Sequence, residues 1–244
     1  MAIINELFNL GTQLIMSLQS MAIGLYTWLL YVWGKLPLLL EGTLLTLELT
    51  AIAVSLGFII GTFAGIGRLS EKRFIRSLAT IYIDFIRGTP LLVQILIVYM
   101  GLPQIIGRTV PPMVAAIASL SINSGAYVAE IVRAGIQSID KGQAEAARSL
   151  GMTSNQTMRY IVLPQAFRRI IPPLGNEFIA MLKDSSLVSV IALEELMRKA
   201  QLVYTRDYRP FDILFAVSII YLILTLSISR LVRYSERRLR NNDR

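Results

Sequence analysis

Apolar and polar residues along this chain fall in long blocks. Four uncharged stretches stand out, at residues 49–67, 91–107, 109–129 and 213–229. A helix needs ~20 mostly apolar residues to cross the hydrocarbon core of a bilayer, and these stretches with their flanks meet or approach that length. The blocks predict five spanning helices, at residues 38–67, 78–101, 111–135, 170–196 and 211–232. On the first, Gly57, Gly61 and Gly65 share one face, a small-residue row that lets another helix come close. The second is expected to kink around Gly88 and Pro90. Pro111 suits the start of the third. The polar run Lys183-Asp184-Ser185-Ser186 interrupts the fourth.

The first 36 residues behave differently. Ile3, Ile4, Leu7, Leu14, Ile15, Leu18, Leu25 and Leu29 recur at helical spacing, with Asn5, Glu6, Asn9, Thr12, Gln13, Ser17 and Ser20 opposite them. This predicts an amphipathic helix lying in the membrane interface, with Trp28, Tyr31 and Trp33 as its belt. The stretch from Leu7 to Gly34 is uncharged, so an extra spanning helix is the alternative. The expected organisation is thus an all-α integral membrane protein. Residues 1–36 form a membrane-associated segment, and residues 37–240 form a transmembrane domain.

Composition agrees: the chain is 54% hydrophobic and only 16% charged, with a mean hydropathy of +0.58. The net charge of +8 would raise the question of nucleic acid in a soluble protein. Here there is no basic groove interleaved with aromatics, and the basic residues collect between apolar blocks. Arg68, Lys72, Arg73 and Arg76 follow the first span. Arg148, Arg159, Arg168 and Arg169 follow the third. Arg233, Arg237, Arg238, Arg240 and Arg244 follow the fifth. Five spans put these segments on one side, which the excess of Lys and Arg marks as cytoplasmic, with the C-terminus there too. Residues 198–209 lie opposite and carry Arg198, Lys199, Arg206 and Arg209, partly offset by Glu194, Glu195 and Asp207. Met1 to Asn5 lacks the basic residues that open a signal peptide. The absence of Cys and His removes thiolate chemistry, His proton relays and the usual zinc ligands.

The loop after the third span is too polar to cross and too patterned for a plain linker. Asp140 with Gln143, and Thr153 with Gln156, each read as a helix N-cap with its capping-box partner. Helix formers fill residues 144–150, Gly151 suits a C-cap, and Pro164 is expected to end the second helix. The prediction is two short helices meeting at a glycine corner, within residues 140–164. On spacing alone this is equally a helical hairpin without special role.

The residues 145–164, EAARSLGMTSNQTMRYIVLP, resemble the EAA loop of ABC-importer permeases. Glu145, Ala146, Ala147, Gly151, Ile161, Leu163 and Pro164 carry the match. Phe85-Ile86-Arg87-Gly88-Thr89-Pro90-Leu91, Tyr127-Val128-Ala129-Glu130-Ile131 and Gly175-Asn176-Glu177-Phe178 are similar to segments of the polar amino-acid uptake subfamily. The resemblance implies that Ala144, Glu145, Ala146, Ala147, Arg148 and Gly151 form a coupling helix seated on a cytoplasmic ATPase dimer. It implies a second permease copy, identical or similar, an extracytoplasmic substrate-binding protein, and a place in the bacterial cytoplasmic membrane. No G-x-x-x-x-G-K-[ST] phosphate loop occurs, so ATP and Mg are expected on the partner, and no cofactor or metal in this chain.

Ionisable groups inside a membrane are costly and therefore candidates for function. Asn123, Tyr127 and Glu130 share one face of the third span, which Ala116, Ser119 and Ala134 extend. That face can line a substrate path, or can pack while Glu130 pairs with Arg133. Asp84, Arg87 and Gln94 share a face of the second span, where Asp84 can pair with Arg87. Asn176, Glu177, Lys183 and Asp184 mark the fourth, with the polar break as an exposed substrate contact, a gate or a dimer contact. Glu48, Asp84, Glu130, Glu177 and Asp184 outnumber Arg87, Arg133 and Lys183, which favours a cationic amino acid such as arginine, lysine or histidine. An ion-driven secondary transporter is the main alternative, but more helices and an internal repeat would be expected of it.

Overall fold

The computed structural model describes residues 2–241, with the side chains of residues 10, 11 and 13–238. The predicted positions Ile3, Ile4, Asn5, Glu6, Leu7, Asn9 and Thr12, and Arg240 and Arg244 of the tail, lie outside the described side chains. All regular structure among the described residues is helical. It runs as α1 (Ala2–Arg68), α2 (Arg73–Arg87), α3 (Leu91–Leu96), α4 (Leu102–Ile106), α5 (Pro112–Gln137), α6 (Lys141–Ser149), α7 (Ser154–Thr157), α8 (Leu163–Asp184), α9 (Leu196–Asp207) and α10 (Pro210–Asn241). Single π-helical turns at Ile97–Gly101 and Met158–Val162 join α3 to α4 and α7 to α8, and a 3-10 stretch, Ser185–Ile191, follows α8.

Among the described residues, three helical stretches are long and apolar enough to cross a membrane: Gln13–Arg68, Pro112–Gln137 and Pro210–Arg238. The predicted second span, 78–101, is not one kinked helix. It is α2 and the α3–α4 segment, bent by 104° at residues 88–90. Together they make a fourth candidate. The predicted fourth span also shifts, since α8 starts at Leu163 and ends at Asp184; it is not among the apolar candidates. The predicted division after residue 36 leaves no break in the backbone, because α1 runs through Pro37.

The core forms where α1 lies along α5. Ideal Cβ atoms placed on the glycines of α1 would collide with α5: at Gly57 with Ser124 Cβ at 2.8 Å, at Gly61 with Gly125 O at 2.6 Å, and at Gly65 with Ala129 O at 2.6 Å. The seam therefore sets the α1 backbone directly on the backbone and Cβ atoms of α5, and only glycine permits it. Hydroxyls in α1 find partners within the helix, Thr43 donating to Leu39 O and Thr50 to Thr46 O, so no water is needed to satisfy them. Leu49, Ile95, Leu120, Met181 and Ile191 fill the centre of one cluster, each drawn from a different segment. Leu39, Leu196, Val203, Ile213 and Val217 hold α9 and α10 against α1.

Candidate functional site

The loop between α5 and α8 holds the corner that the sequence predicts. The Asp140 carboxylate accepts from Gly142 N at 2.6 Å and caps α6. The expected Gln143 half of that box does not form, because the side chain closes on the nearer amide instead. At the other end Gly151 takes φ +86°, the left-handed region. Its N–H donates to Arg148 O at 2.9 Å, and the Met152 N–H to Ala147 O at 3.2 Å, which together make a Schellman C-cap. The capping box at Thr153 is complete: Gln156 N donates to Thr153 Oγ1 at 3.3 Å and Thr153 N to Gln156 Oε1 at 2.9 Å. Pro164 does not end the following helix as expected. The π turn Met158–Val162 precedes it and places it in the first turn of α8, where a missing N–H costs little.

Exposure sorts the residues of α6. Ala147 is buried against the loop and Ala144 partly so, while Glu145, Ala146 and Arg148 face outward. Leu150 stands at the corner with 85% of its surface exposed. The sequence places this leucine at the end of the predicted helix without a contact role, although a large apolar residue just before a C-cap glycine in a polar loop is a usable signal for one.

A second constellation lies where α1, α2 and α5 meet. The Glu130 carboxylate accepts from Arg133 Nη2 at 2.8 Å and from Arg68 Nη1 at 2.7 Å, and Arg87 Nη1 lies 3.7 Å away. Arg68 also pairs with Asp84 at 3.1 Å, so the expected Asp84–Arg87 pair is replaced by one between helices. The Arg87 guanidinium instead covers the Tyr127 ring at 5.3 Å. Arg68 was not foreseen here. Extending the glycine seam by one turn brings the last residue of α1 beside Glu130.

The 104° break explains Gln94. Its amide donates to Ile86 O at 2.8 Å and Thr89 O at 3.1 Å, carbonyls left over where α2 ends. Asn123 Nδ2 donates to Gln94 Oε1 at 2.9 Å. Both amides are almost fully buried, as are Ala116 and Ser119. Of the predicted stripe, Tyr127, Glu130 and Ala134 reach the rim. Beside them Glu130, Arg133, Ser138, Arg169 and Pro173 line a cleft of ≈ 470 Å³ between α5 and α8.

The α8 candidates divide. Glu177 is buried and faces Ser124 of α5, whose hydroxyl forms no hydrogen bond among the described residues. Asn176, Lys183 and Asp184 point away from the rest of the chain, and the structure does not bring them to the Glu130 cluster. Glu48 is likewise exposed. No group of His, Cys, Asp and Glu among the described residues has the arrangement of a metal site.

Comparison with known proteins fits this geometry. Residues 57–241 match the family described as binding-protein-dependent transport system inner membrane components. The chain is 40% identical over 210 residues to the glutamine transport system permease protein GlnP of Escherichia coli strain K12, covering 86% of this chain and 96% of that one. It is 40% identical over 209 residues to the arginine transport system permease protein ArtQ of Bacillus subtilis strain 168, covering 86% and 95%. A crystal structure of an amino acid ABC transporter with histidines superposes with a TM-score of 0.83 at 47% identity, over 86% of this chain and 97% of that one. The chain thus belongs to the family of binding-protein-dependent transport system inner membrane components, as a multi-pass permease subunit of the ABC-importer type.

Proposed function

We propose that this chain is one half of a membrane pair through which polar amino acids enter the bacterial cytoplasm, driven by an ATPase dimer docked on the α6 corner. The observation that carries this reading is the corner itself: a capped helix with Glu145, Ala146 and Arg148 outward, ending on an exposed Leu150 and a left-handed Gly151. Small side chains let a helix enter a groove, and an apolar residue at its tip supplies an anchor. The ATPase binds ATP and Mg and performs the hydrolysis. Closure of its two halves moves both α6 helices, and the spanning bundles change which side they open to. An extracytoplasmic binding protein selects the amino acid first.

Topology follows from the same picture. Residues 38–68, the α2–α4 pair, α5, α8 and α10 make five crossings. The α6 corner and the C-terminus are cytoplasmic, and α9 is outside. The polar amino-acid class rests on the glutamine and arginine systems of the relatives.

The test is isolation of the tagged chain from membranes in mild detergent, followed by native mass spectrometry. Two permease chains with two P-loop ATPase chains are expected. Leu150→Asp should leave the yield of permease unchanged while the ATPase and uptake are lost. Uptake of arginine or glutamine driven by an ion gradient, with no ATPase present, would overturn the proposal.

A further inference from the structure

Among the described residues, the side chains of α1 from Gln13 to Leu25 stand exposed, clear of the rest of this chain. α1 is 67 residues long, and at ~1.5 Å per residue it extends ~100 Å, more than twice a bilayer with its headgroups. The seam with α5 fixes the part from Gly57 to Gly65 in the bundle. What lies before Pro37 is therefore surplus to that crossing.

This surplus is unlike an interfacial helix. Leu14, Ile15, Met16, Leu18, Met21 and Ile23 are all more than half exposed. At ~100° per residue those positions cover roughly 220° of the helix circumference and leave a stripe of Gln13, Ser17 and Ser20, whereas a helix lying on a surface needs only one narrower apolar face. Hydroxyls along this stretch, Ser17 and Ser20 of the predicted polar face among them, are satisfied within the helix. Ser17, Ser20 and Thr27 donate to Leu14 O, Ser17 O and Gly24 O at 2.8, 2.8 and 2.9 Å. A hydroxyl spent on its own helix is tolerated in hydrocarbon.

The lower end of the segment is anchored. Lys35 pairs with Asp207 at 2.7 Å, and Tyr31 Oη donates to the same carboxylate at 3.0 Å. The Arg209 guanidinium lies 4.1 Å from the Tyr31 ring. Trp28 Nε1 donates to Asp212 O at 3.2 Å, and its ring meets Phe215 of α10 at 5.6 Å. Aromatics with a lysine at one end are how spanning helices are moored at a membrane surface. Just beyond lies Pro37, which has no N–H for the Trp33 carbonyl, so a bend there breaks no hydrogen bond at that carbonyl.

We infer that residues 13–33 enter the bilayer as a sixth spanning helix, hinged at Pro37 and surrounded by lipid acyl chains. Residues 13–33 cover ~30 Å at ~1.5 Å each, the thickness of the hydrocarbon core. One docked protein would cover only part of so broad an apolar arc, whereas lipid contacts the whole of it. The chain before residue 13 is then cytoplasmic. This rests on the orientation proposed above, which puts α9 outside.

The chain has no cysteine, so single thiols can be placed freely. Gln13→Cys, Met21→Cys and, as the control for orientation, Ser154→Cys are exposed to an impermeant maleimide in intact cells and in inside-out vesicles. Position 13 should react at least tenfold faster in inside-out vesicles, and position 21 on neither side until detergent is added. Reaction of position 13 or 21 in intact cells overturns the sixth span, since the segment then lies on the outer surface. A position 13 silent from both sides overturns it too, by placing that residue within the hydrocarbon. Reaction of position 154 in intact cells refutes the orientation instead, and so separates the two failures.

Discussion

Glu130→Gln tests the ion cluster on which α1, α2 and α5 converge. The carboxylate is held by Arg133 at 2.8 Å and by Arg68 at 2.7 Å. Gln keeps the shape but loses the charge, and turns an NH2 group towards guanidinium donors. Breaking one side of a fully buried pair costs ~3–5 kcal/mol, whereas an exposed pair contributes ~0.2–1 kcal/mol. The three side chains retain 19, 24 and 31% of their exposure, so the cost lies between these limits, at about 2 kcal/mol. For a chain of this size about 1 kcal/mol moves Tm by roughly 2–4 °C, so the detergent-solubilised subunit should melt about 4–8 °C lower. Adding Arg133→Gln should restore only part of the loss, because Arg68 still faces the amide. Adding Arg68→Gln as well should restore most of the rest. Thermal unfolding followed by size-exclusion fluorescence reads the stability, and uptake of arginine against glutamine reads the function. A Glu130→Gln protein with wild-type Tm that loses arginine uptake selectively would refute the cluster and hand the carboxylate to the cargo.

Three further outcomes are expected. Gly61→Leu should abolish accumulation of folded subunit, since even a Cβ there lies 2.6 Å from Gly125 O and Val128 Cβ; membrane yield of a fluorescent fusion checks it. Gly151→Val meets no neighbour within 4 Å, so its effect is conformational, roughly 1–2 kcal/mol at a left-handed position. The subunit should insert normally while uptake falls or ATPase activity uncouples from substrate, and normal uptake would discard the corner. Asp207 is held well below the usual carboxylate range by Lys35, Arg206 and Tyr31. An acid with a lowered folded pKa contributes stability above its unfolded pKa and loses it as pH falls through the folded value. The Lys35 and Tyr31 contacts should therefore persist at pH 5, measured by the rate of crosslinking between cysteines at positions 31 and 207 flanks, Val32 and Tyr208, and should loosen in Asp207→Asn at every pH.

Much of the fold can be read from the chain because lipid simplifies the code. α5 was expected at 111–135 and runs Pro112–Gln137, since an uncharged apolar run has few other places to go. The 104° break is different. Gly88 and Pro90 announce a bend, but its size depends on Gln94 reaching back to Ile86 O, a contact no periodicity contains. Pro164 misled for a related reason, as a π turn decides whether proline closes one helix or opens the next. In the candidate site, Glu130 and Arg133 are one turn apart and could be paired by counting. Arg68 arrives from another helix, and it converts an acid counted as free for a cationic cargo into one neutralised within the chain. The surroundings of Glu177 likewise follow from how α8 meets α5, not from its neighbours in sequence.

The glycine seam between α1 and α5 has a mechanical consequence. Side chains between two helices act as springs, because rotamers can shift to absorb a small displacement. At Gly57, Gly61 and Gly65 α1 contributes none, and its backbone lies directly on Ser124 Cβ, on Gly125 O and Val128 Cβ, and on Ala129 O of α5. Two rods in such contact have no backlash. A push received by α5 from the loop at its inner end reaches α1 at full amplitude, and the two must turn as one body. Whatever flexing the subunit needs in order to open and close is thereby left to the joints around that body: the bend after α2 and the 3-10 stretch after α8.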